Sequence, residues 1–258
     1  MSVDPVVKTK PGAPAWFFEA EAAGLAWLAE AEASGGARVC RVLDVAPGRI
    51  SLERIAPGRP DAASAAAFGR ALAATHDAGA SAFGASPEGW DGPLFIGRLL
   101  QPVAHEQTWG AFYARDRVLP FLAPAVAAGN LSERGAESVR DACALIADGA
   151  FDDDDPPARL HGDLWNGNVL WSPDGAVLID PAAHGGHRET DLAMLALFGC
   201  PFLEEILRSY DAAHPLRPGW RDRVPVHQLH PLAVHAVGHG PSYGEALADA
   251  ARRTLALT

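Results

Sequence analysis

The sequence predicts an α+β protein of two lobes: a small antiparallel-sheet lobe over residues 1–57 and a mostly helical lobe over residues 58–258. Three observations carry this reading. The first part shows strand, helix, strand and strand signals in that order. After Ala56-Pro57-Gly58 the apolar spacing becomes helical. One pair of short apolar runs, Val169-Leu170-Trp171 and Ala176-Val177-Leu178-Ile179, then interrupts the helical part.

Each element has a local reason. Val6-Val7-Lys8 is a β-branched run that Pro11-Gly12-Ala13-Pro14 breaks. Residues 15–33 place Phe18, Ala22, Leu25 and Leu28 at helical spacing, and Ser34-Gly35-Gly36 ends the helix. Residues 39–45 and 50–55 flank Ala46-Pro47-Gly48-Arg49, a hairpin signal. Residues 62–79 form an Ala-rich helix capped by Asp61. Residues 81–102, dense in Gly, Pro and Asp, read as an ordered loop at best. A long helix is expected over 106–128, strained near Pro120 and Pro124, and another over 132–147 with Ser132 as its cap. Asp152-Asp153-Asp154-Asp155 reads as a solvated acidic linker in which no carboxylate is fixed. Helices follow over 189–198, 202–212, 220–237 and 243–257, with Pro225 and Pro231 interrupting the third.

Bulk properties exclude several classes. The net charge of −11 argues against nucleic acid and against an anionic membrane surface. An acidic protein that binds a phosphorylated ligand must gather positive charge locally. Three cysteines, widely separated and odd in number, suit buried thiols in a reducing cytosol. The chain shows neither a signal core nor the roughly 18 consecutive apolar residues of a membrane span. A cytoplasmic monomer is expected.

Chemistry concentrates in Arg159-Leu160-His161-Gly162-Asp163-Leu164-Trp165-Asn166-Gly167-Asn168, followed by Ile179-Asp180-Pro181. Asp163 and Asn168 flank a tight loop, and a hairpin beginning after Asn168 returns Asp180 beside it. Phosphoryl transfer needs this set: a carboxylate to accept a hydroxyl proton, and an amide and a second carboxylate to hold magnesium on the nucleotide phosphates. Few protein oxygens plus phosphate and water suit Mg2+. Lys8 on a strand and Glu21 on the next helix form a second pair, the lysine free to meet phosphates; Glu21 is favoured over Glu19 by position. His161 reads as a packing and hydrogen-bonding residue. Asp191 reads as a helix cap, as a brace for the catalytic-loop backbone, or as both. His227, His230, His235 and His239 crowd the C-terminal region, and His235 and His239, four apart, could share a metal. No acidic ligand accompanies them, so packing or substrate contact is favoured.

At these residues the sequence resembles the fructosamine/ketosamine kinase family, of the aminoglycoside-phosphotransferase-like group. The resemblance lies in His161 to Asn168, in Ile179-Asp180-Pro181-Ala182, and in Gly186-His187-Arg188-Glu189-Thr190-Asp191-Leu192-Ala193-Met194. It is further carried by Phe18 to Leu25, Trp109 to Tyr113, and Gln228 to His235, and runs from Val6 to about Gly240. The resemblance implies a two-lobed protein-kinase-like fold with ATP and Mg2+ between the lobes and a ketosamine, a glycated amine, as the small-molecule acceptor. By position it makes Asp163 the base, Asn168 and Asp180 the magnesium ligands, Lys8 and Glu21 the phosphate-clamping pair, and backbone near Glu53 and Ile55 the adenine contact. Trp165, His187, Arg188 and His235 become supporting or substrate residues. The family has two strands and a glycine-containing loop ahead of its lysine strand. This chain starts at or just before that strand, so its N-lobe is expected to be shortened, with Val3 to Lys8 as an exposed edge. An aminoglycoside- or choline-type acceptor, and a binding module that has lost catalysis, are the alternative readings.

Overall fold

A computed structural model describes residues 4–257. Strands β1 (Val6–Thr9), β2 (Val42–Ala46) and β3 (Arg49–Leu52) form one antiparallel sheet in the order β1-β3-β2. Pro47-Gly48 makes the β2–β3 turn, with Gly48 at φ 78°. β1 is therefore an edge strand, and its Val7 is exposed. Val3, the first residue of the expected edge, lies outside the described residues. Helix α1 (Phe17–Ala29) buries Phe18, Leu25 and Leu28 beside the sheet, tightens into a 3-10 turn over Glu30–Ser34, and stops at Gly35.

Helix α2 (Ala62–Asp77) starts in a capping box between Asp61 and Ser64. Residues 81–102, expected as a loop, contain a hairpin: β4 (Leu94–Ile96) and β5 (Leu99–Gln101) around Gly97-Arg98. Each strand has only three residues, too few for an alternating pattern to show. Burial of Leu94, Phe95 and Ile96 is what holds the hairpin.

The single helix expected over 106–128 is instead α3 (Trp109–Phe112), a π-helical turn (Tyr113–Val118), a 3-10 turn (Leu119–Phe121) and α4 (Leu122–Ala127). Pro120 lacks an N–H and cannot continue the α ladder, so the hydrogen bonds change spacing around it. Helix α5 (Glu133–Ala147) begins as expected, with Ser132 Oγ accepting from Gly135 N–H at 3.1 Å.

Two further strand pairs follow, β6 (Ala158–Leu160) with β9 (His184–Gly186), and β7 (Val169–Ser172) with β8 (Gly175–Leu178). Helices α6 (Glu189–Leu197), α7 (Leu203–Ala213), α8 (Trp220–Gly238) and α9 (Pro241–Leu255) complete the fold. α8 runs through Pro225 and Pro231, contrary to the expected interruption. Pro231 has no N–H for the His227 carbonyl four residues back. The buried Tyr113 hydroxyl fills that gap, donating to His227 O at 2.8 Å and accepting from His230 N–H at 3.1 Å. A side chain from another element thus repairs the ladder.

The core is two clusters. One joins the N-terminal sheet and α1 to α2, the β7–β8 hairpin, α6 and α7. The other gathers the π turn, α4, α5, α8 and α9. Backbone bonds reinforce the first: Leu178 N–H donates to Arg38 O and Cys40 N–H to Leu178 O, both at 2.9 Å. The β7–β8 hairpin, which must carry Asp180, is thereby tied to the sheet that carries Lys8.

Candidate active site

The loop after β6 is shaped by Asp191, the third residue of α6. Its carboxylate, almost fully buried, accepts from the N–H groups of His161 (2.7 Å) and Gly162 (3.0 Å). His76 Nε2 lies 3.2 Å from the same carboxylate and is itself oriented by Tyr210 OH at 2.7 Å. Asp191 makes no cap bond, so bracing is the reading with geometry behind it. Gly162 stands at φ 81° with the Ala182 carbonyl against it, where a Cβ would overlap. His161 is buried and donates from Nε2 to Ile179 O at 2.9 Å, a packing and hydrogen-bonding part as expected.

Asn168 Nδ2 donates to the Asp163 carbonyl (2.7 Å) and carboxylate (3.1 Å), and lies 3.4 Å from Asp180 O. All three partners are oxygens, which turns the Asn168 amide oxygen away from them. The β7–β8 pairing is extended one step by Ile179 N–H to Asn168 O at 3.1 Å. Asp180 therefore follows beside Asn168, in the left-handed region at φ 55°. That conformation costs about 1–2 kcal/mol for a residue with a Cβ, and Asp is among the few types that accept it.

Lys8 Nζ donates to Glu21 Oε1 at 2.7 Å and also to the Asp180 carboxylate. The strand, α1 and the end of the hairpin thus meet at one ammonium. Burial opposes the Lys8 charge, but the facing Glu21 and Asp180 carboxylates outweigh it and raise its pKa. Burial pushes Asp163 up to about 6, against the opposing Asn168 hydrogen bond and with the Asp180 and Asp191 charges adding to the rise. A carboxylate near 6 is suited to accept a proton near neutrality.

These groups surround a cavity of about 590 Å³, whose lining includes Lys8, Glu21, Asp163, Trp165, Asn168 and Asp180. Asp180 is 43% exposed and open to it. A carboxylate and an amide lining one cavity, Asp180 and Asn168, with room for phosphate and water, fit a magnesium ion.

The other expected site residues are placed differently. Glu53 and Ile55 are not in this lining: Glu53 accepts from Arg41 N–H at 3.0 Å, beside a second pocket behind α1, and Ile55 packs on the core. His187 and Arg188 are buried away from the cavity. His187 Nε2 donates to Asp153 (3.3 Å), and Arg188 binds Asp155 (2.7 Å) and the carbonyls of His214 and Pro215. This corrects the reading of the acidic stretch. Asp152 accepts from Gly110 N–H at 2.6 Å, so three of the four carboxylates are held by groups of the fold, and the fully exposed Asp154 pairs with the partly exposed Arg217 at 3.3 Å. His235 sits one ring removed from the cavity: its ring lies 5.0 Å from Phe198, which meets Trp165 edge-on at 6.0 Å. Its Nδ1 donates to Pro231 O in its own helix.

Among the described residues, the sets able to gather on a metal are His187-Glu189-His227 and Asp153-Asp155-His187, neither of which contains His235 or His239. Both already have partners. Arg223 grips Glu189 at 2.6 and 3.1 Å, and His187 Nδ1 accepts from Glu189 N–H, so its Nε2 carries the proton. Both sets are anchors. The sequence reading missed Lys10, Phe17 and Phe95, which also line the cavity. Lys10, two residues after Lys8, was within reach of the strand period; Phe95 belongs to the unrecognised hairpin.

The profile of the family described as Fructosamine kinase matches residues 4–256. This chain belongs to the fructosamine kinase family. The probable ketoamine kinase of Enterococcus faecium is 32% identical over 240 residues, covering 92% of this chain and 83% of the relative. The crystal structure from Thermobifida fusca, whose protein carries the name fructosamine-3-kinase, superposes with a TM-score of 0.88 at 45% identity, over 97% of this chain and 85% of that one. A choline/ethanolamine kinase family protein from Mesorhizobium loti, at 18% identity and TM-score 0.60, shares the fold alone, over all of this chain and 83% of its own. This fructosamine kinase family member is thus a phosphotransferase acting on an alcohol group, with the α+β kinase-like fold expected from its sequence.

Proposed function

We propose that this protein transfers the terminal phosphoryl group of ATP to the sugar 3-hydroxyl of a small ketosamine, acting as a cytoplasmic monomer. In this reading residues 1–57 are the nucleotide lobe and 58–258 the acceptor lobe. The observation that carries it is the convergence of Asp163, Asn168, Asp180 and the Lys8–Glu21 pair on one cavity in a chain of this family. Asp163 orients the hydroxyl and takes its proton as the new O–P bond forms and the bond to the ADP oxygen breaks. Lys8, held by Glu21, meets the nucleotide phosphates. Asn168 and Asp180 would hold magnesium, which neutralises phosphate charge when bound. Asp191 and His161 keep the loop in shape, so catalysis is positioning and charge stabilisation.

The test is incubation with ATP, Mg2+ and a low-molecular-weight ketosamine, with phosphorus NMR locating the new ester. Formation of the 3-phosphate supports the reading. Phosphorylation of choline or an aminoglycoside, with the ketosamine untouched, would overturn it. kcat/KM should fall below about pH 6, as Asp163 becomes protonated.

A further inference from the structure

Lys8 and Lys10 are the only lysines in the sequence, and both line the cavity. They stand two positions apart, Lys8 in β1 and Lys10 just after its last residue, Thr9. Lys8 is matched by Glu21 and Asp180. Lys10 makes no ion pair with a carboxylate among the described residues. Its ammonium lies 4.1 Å from the Phe17 ring centroid and 3.4 Å from Gly97 O, in the turn of the β4–β5 hairpin. The next residue, Arg98, is exposed and likewise without a carboxylate partner among the described residues. Burial, and then the charge of Arg98, lower the pKa of Lys10. Two cations from distant parts of an acidic chain thus act on each other, Lys10 in the cavity lining and Arg98 next to the lining residue Gly97. Their repulsion is relieved when an anion sits between them.

The β-sheet register says which end this is. β1 pairs antiparallel with β3, Val6 opposite Leu52 and Thr9 opposite Arg49. The connection to the helical lobe leaves β3 after Leu52, at the Val6 end. With the phosphates on Lys8, as in the reading above, Lys10 stands two residues beyond Lys8 on the side away from that connection. There Gly97 of the hairpin joins the lining beside Lys10, and Phe95 joins it beside Phe17.

We propose that Lys10, with Arg98, holds a carboxylate of the acceptor, so that the preferred ketosamine is a glycated amino acid and not a glycated uncharged amine. This rests on the kinase reading above. The hairpin then has a function: its turn puts Gly97 in the cavity lining with Arg98 next to it in the chain, and Phe95 packs at 5.6 Å against Phe17.

Steady-state kinetics on two fructosamines of equal skeleton, one with the α-carboxylate and one decarboxylated, test this in the full chain. The wild type should favour the carboxylate-bearing acceptor in kcat/KM by about tenfold, the scale of one charge-assisted hydrogen bond. In Lys10→Met the ratio should collapse toward one, Arg98→Met should lower it partway, and Lys10→Arg should restore most of it. A ratio that is the same in wild type and Lys10→Met overturns the proposal. So does a rise in the KM for ATP at an unchanged acceptor ratio, which assigns the anion to the nucleotide. If neither fructosamine is phosphorylated, the kinase reading itself fails and the subsite falls with it.

Discussion

The loop from His161 to Asp180 and the segment from Gly186 to Asp191 both hold candidate site residues in the sequence and lie side by side in the fold, yet they face different ways. The first opens into the cavity: Asp163, Trp165, Asn168 and Asp180 all line it. The second is buried throughout, and its polar groups face inward. His187 and Arg188 pin the acidic stretch, Glu189 pairs with Arg223, and Asp191 alone reaches the catalytic loop. A functional motif can thus divide between groups that meet the ligand and groups that hold the first set still. Chemistry-bearing residue types do not reveal which is which, because a buried carboxylate and a catalytic one are the same residue in a sequence.

Substitutions can break this contrast. The largest effect belongs to Asp163→Asn, which removes the proposed base: turnover should fall by ~10²–10⁴-fold, while the fold and Mg-ATP binding by calorimetry persist. Undiminished turnover would remove Asp163 from the mechanism. Asp191→Ala leaves the buried N–H groups of His161 and Gly162 without an acceptor, each costing about 1–3 kcal/mol. Urea unfolding should show a loss of about 4 kcal/mol, and Asp191→Asn a smaller one.

Arg188→Ala separates anchoring from substrate contact. Loss of its bonds to Asp155, His214 O and Pro215 O should cost about 2–3 kcal/mol of stability. The KM values of the surviving folded enzyme should stay within about twofold, a free-energy difference of ~0.4 kcal/mol. A large rise in the acceptor KM without a stability loss would return Arg188 to the substrate.

The smallest effect is that of pH. Burial holds His227 down to about 4 and His230 to about 3, while unfolded histidine protonates near 6.5. Their contribution is complete above about pH 6.5 and is lost as the pH falls toward those folded values. Between pH 7 and 6 the loss should be about 1 kcal/mol or less for each histidine. Asp163 works in the opposite direction, because its raised pKa favours the folded state as the pH falls through about 6. Thermal unfolding should therefore show a modest fall in Tm from pH 7 to 6 and a steeper one below. A flat profile would contradict the burial of these rings in neutral form.

How much was legible follows the length scale of the cause. The capping of α2 and α5, the β2–β3 turn and the β7–β8 hairpin around Ser172 to Gly175 rest on residues a few positions apart, and all were readable. So was the meeting of Asp163, Asn168 and Asp180, because a five-residue loop and a short hairpin leave the backbone few ways to place them. The β4–β5 hairpin was not readable, since three-residue strands carry no period and only packing against α1 and the cavity wall stabilises them. Nor was the path of α8, where Pro231 signals a break that Tyr113, more than a hundred residues earlier, repairs.

By itself the sequence determined the local chemistry: which carboxylates and amide stand together, which lysine carries a glutamate partner at the right distance along the chain, and which family the motif resembles. The tertiary structure alone decided which of those groups see a ligand. Burial and long-range hydrogen bonds turned His187, Arg188 and three aspartates of an acidic stretch into anchors. The same folding brought Lys10, just after a strand, to the turn of a hairpin distant in sequence, where Gly97 joins the cavity lining and Arg98 follows it. Solvation and charge proximity depend on distances through space, and those exist only once the chain has folded.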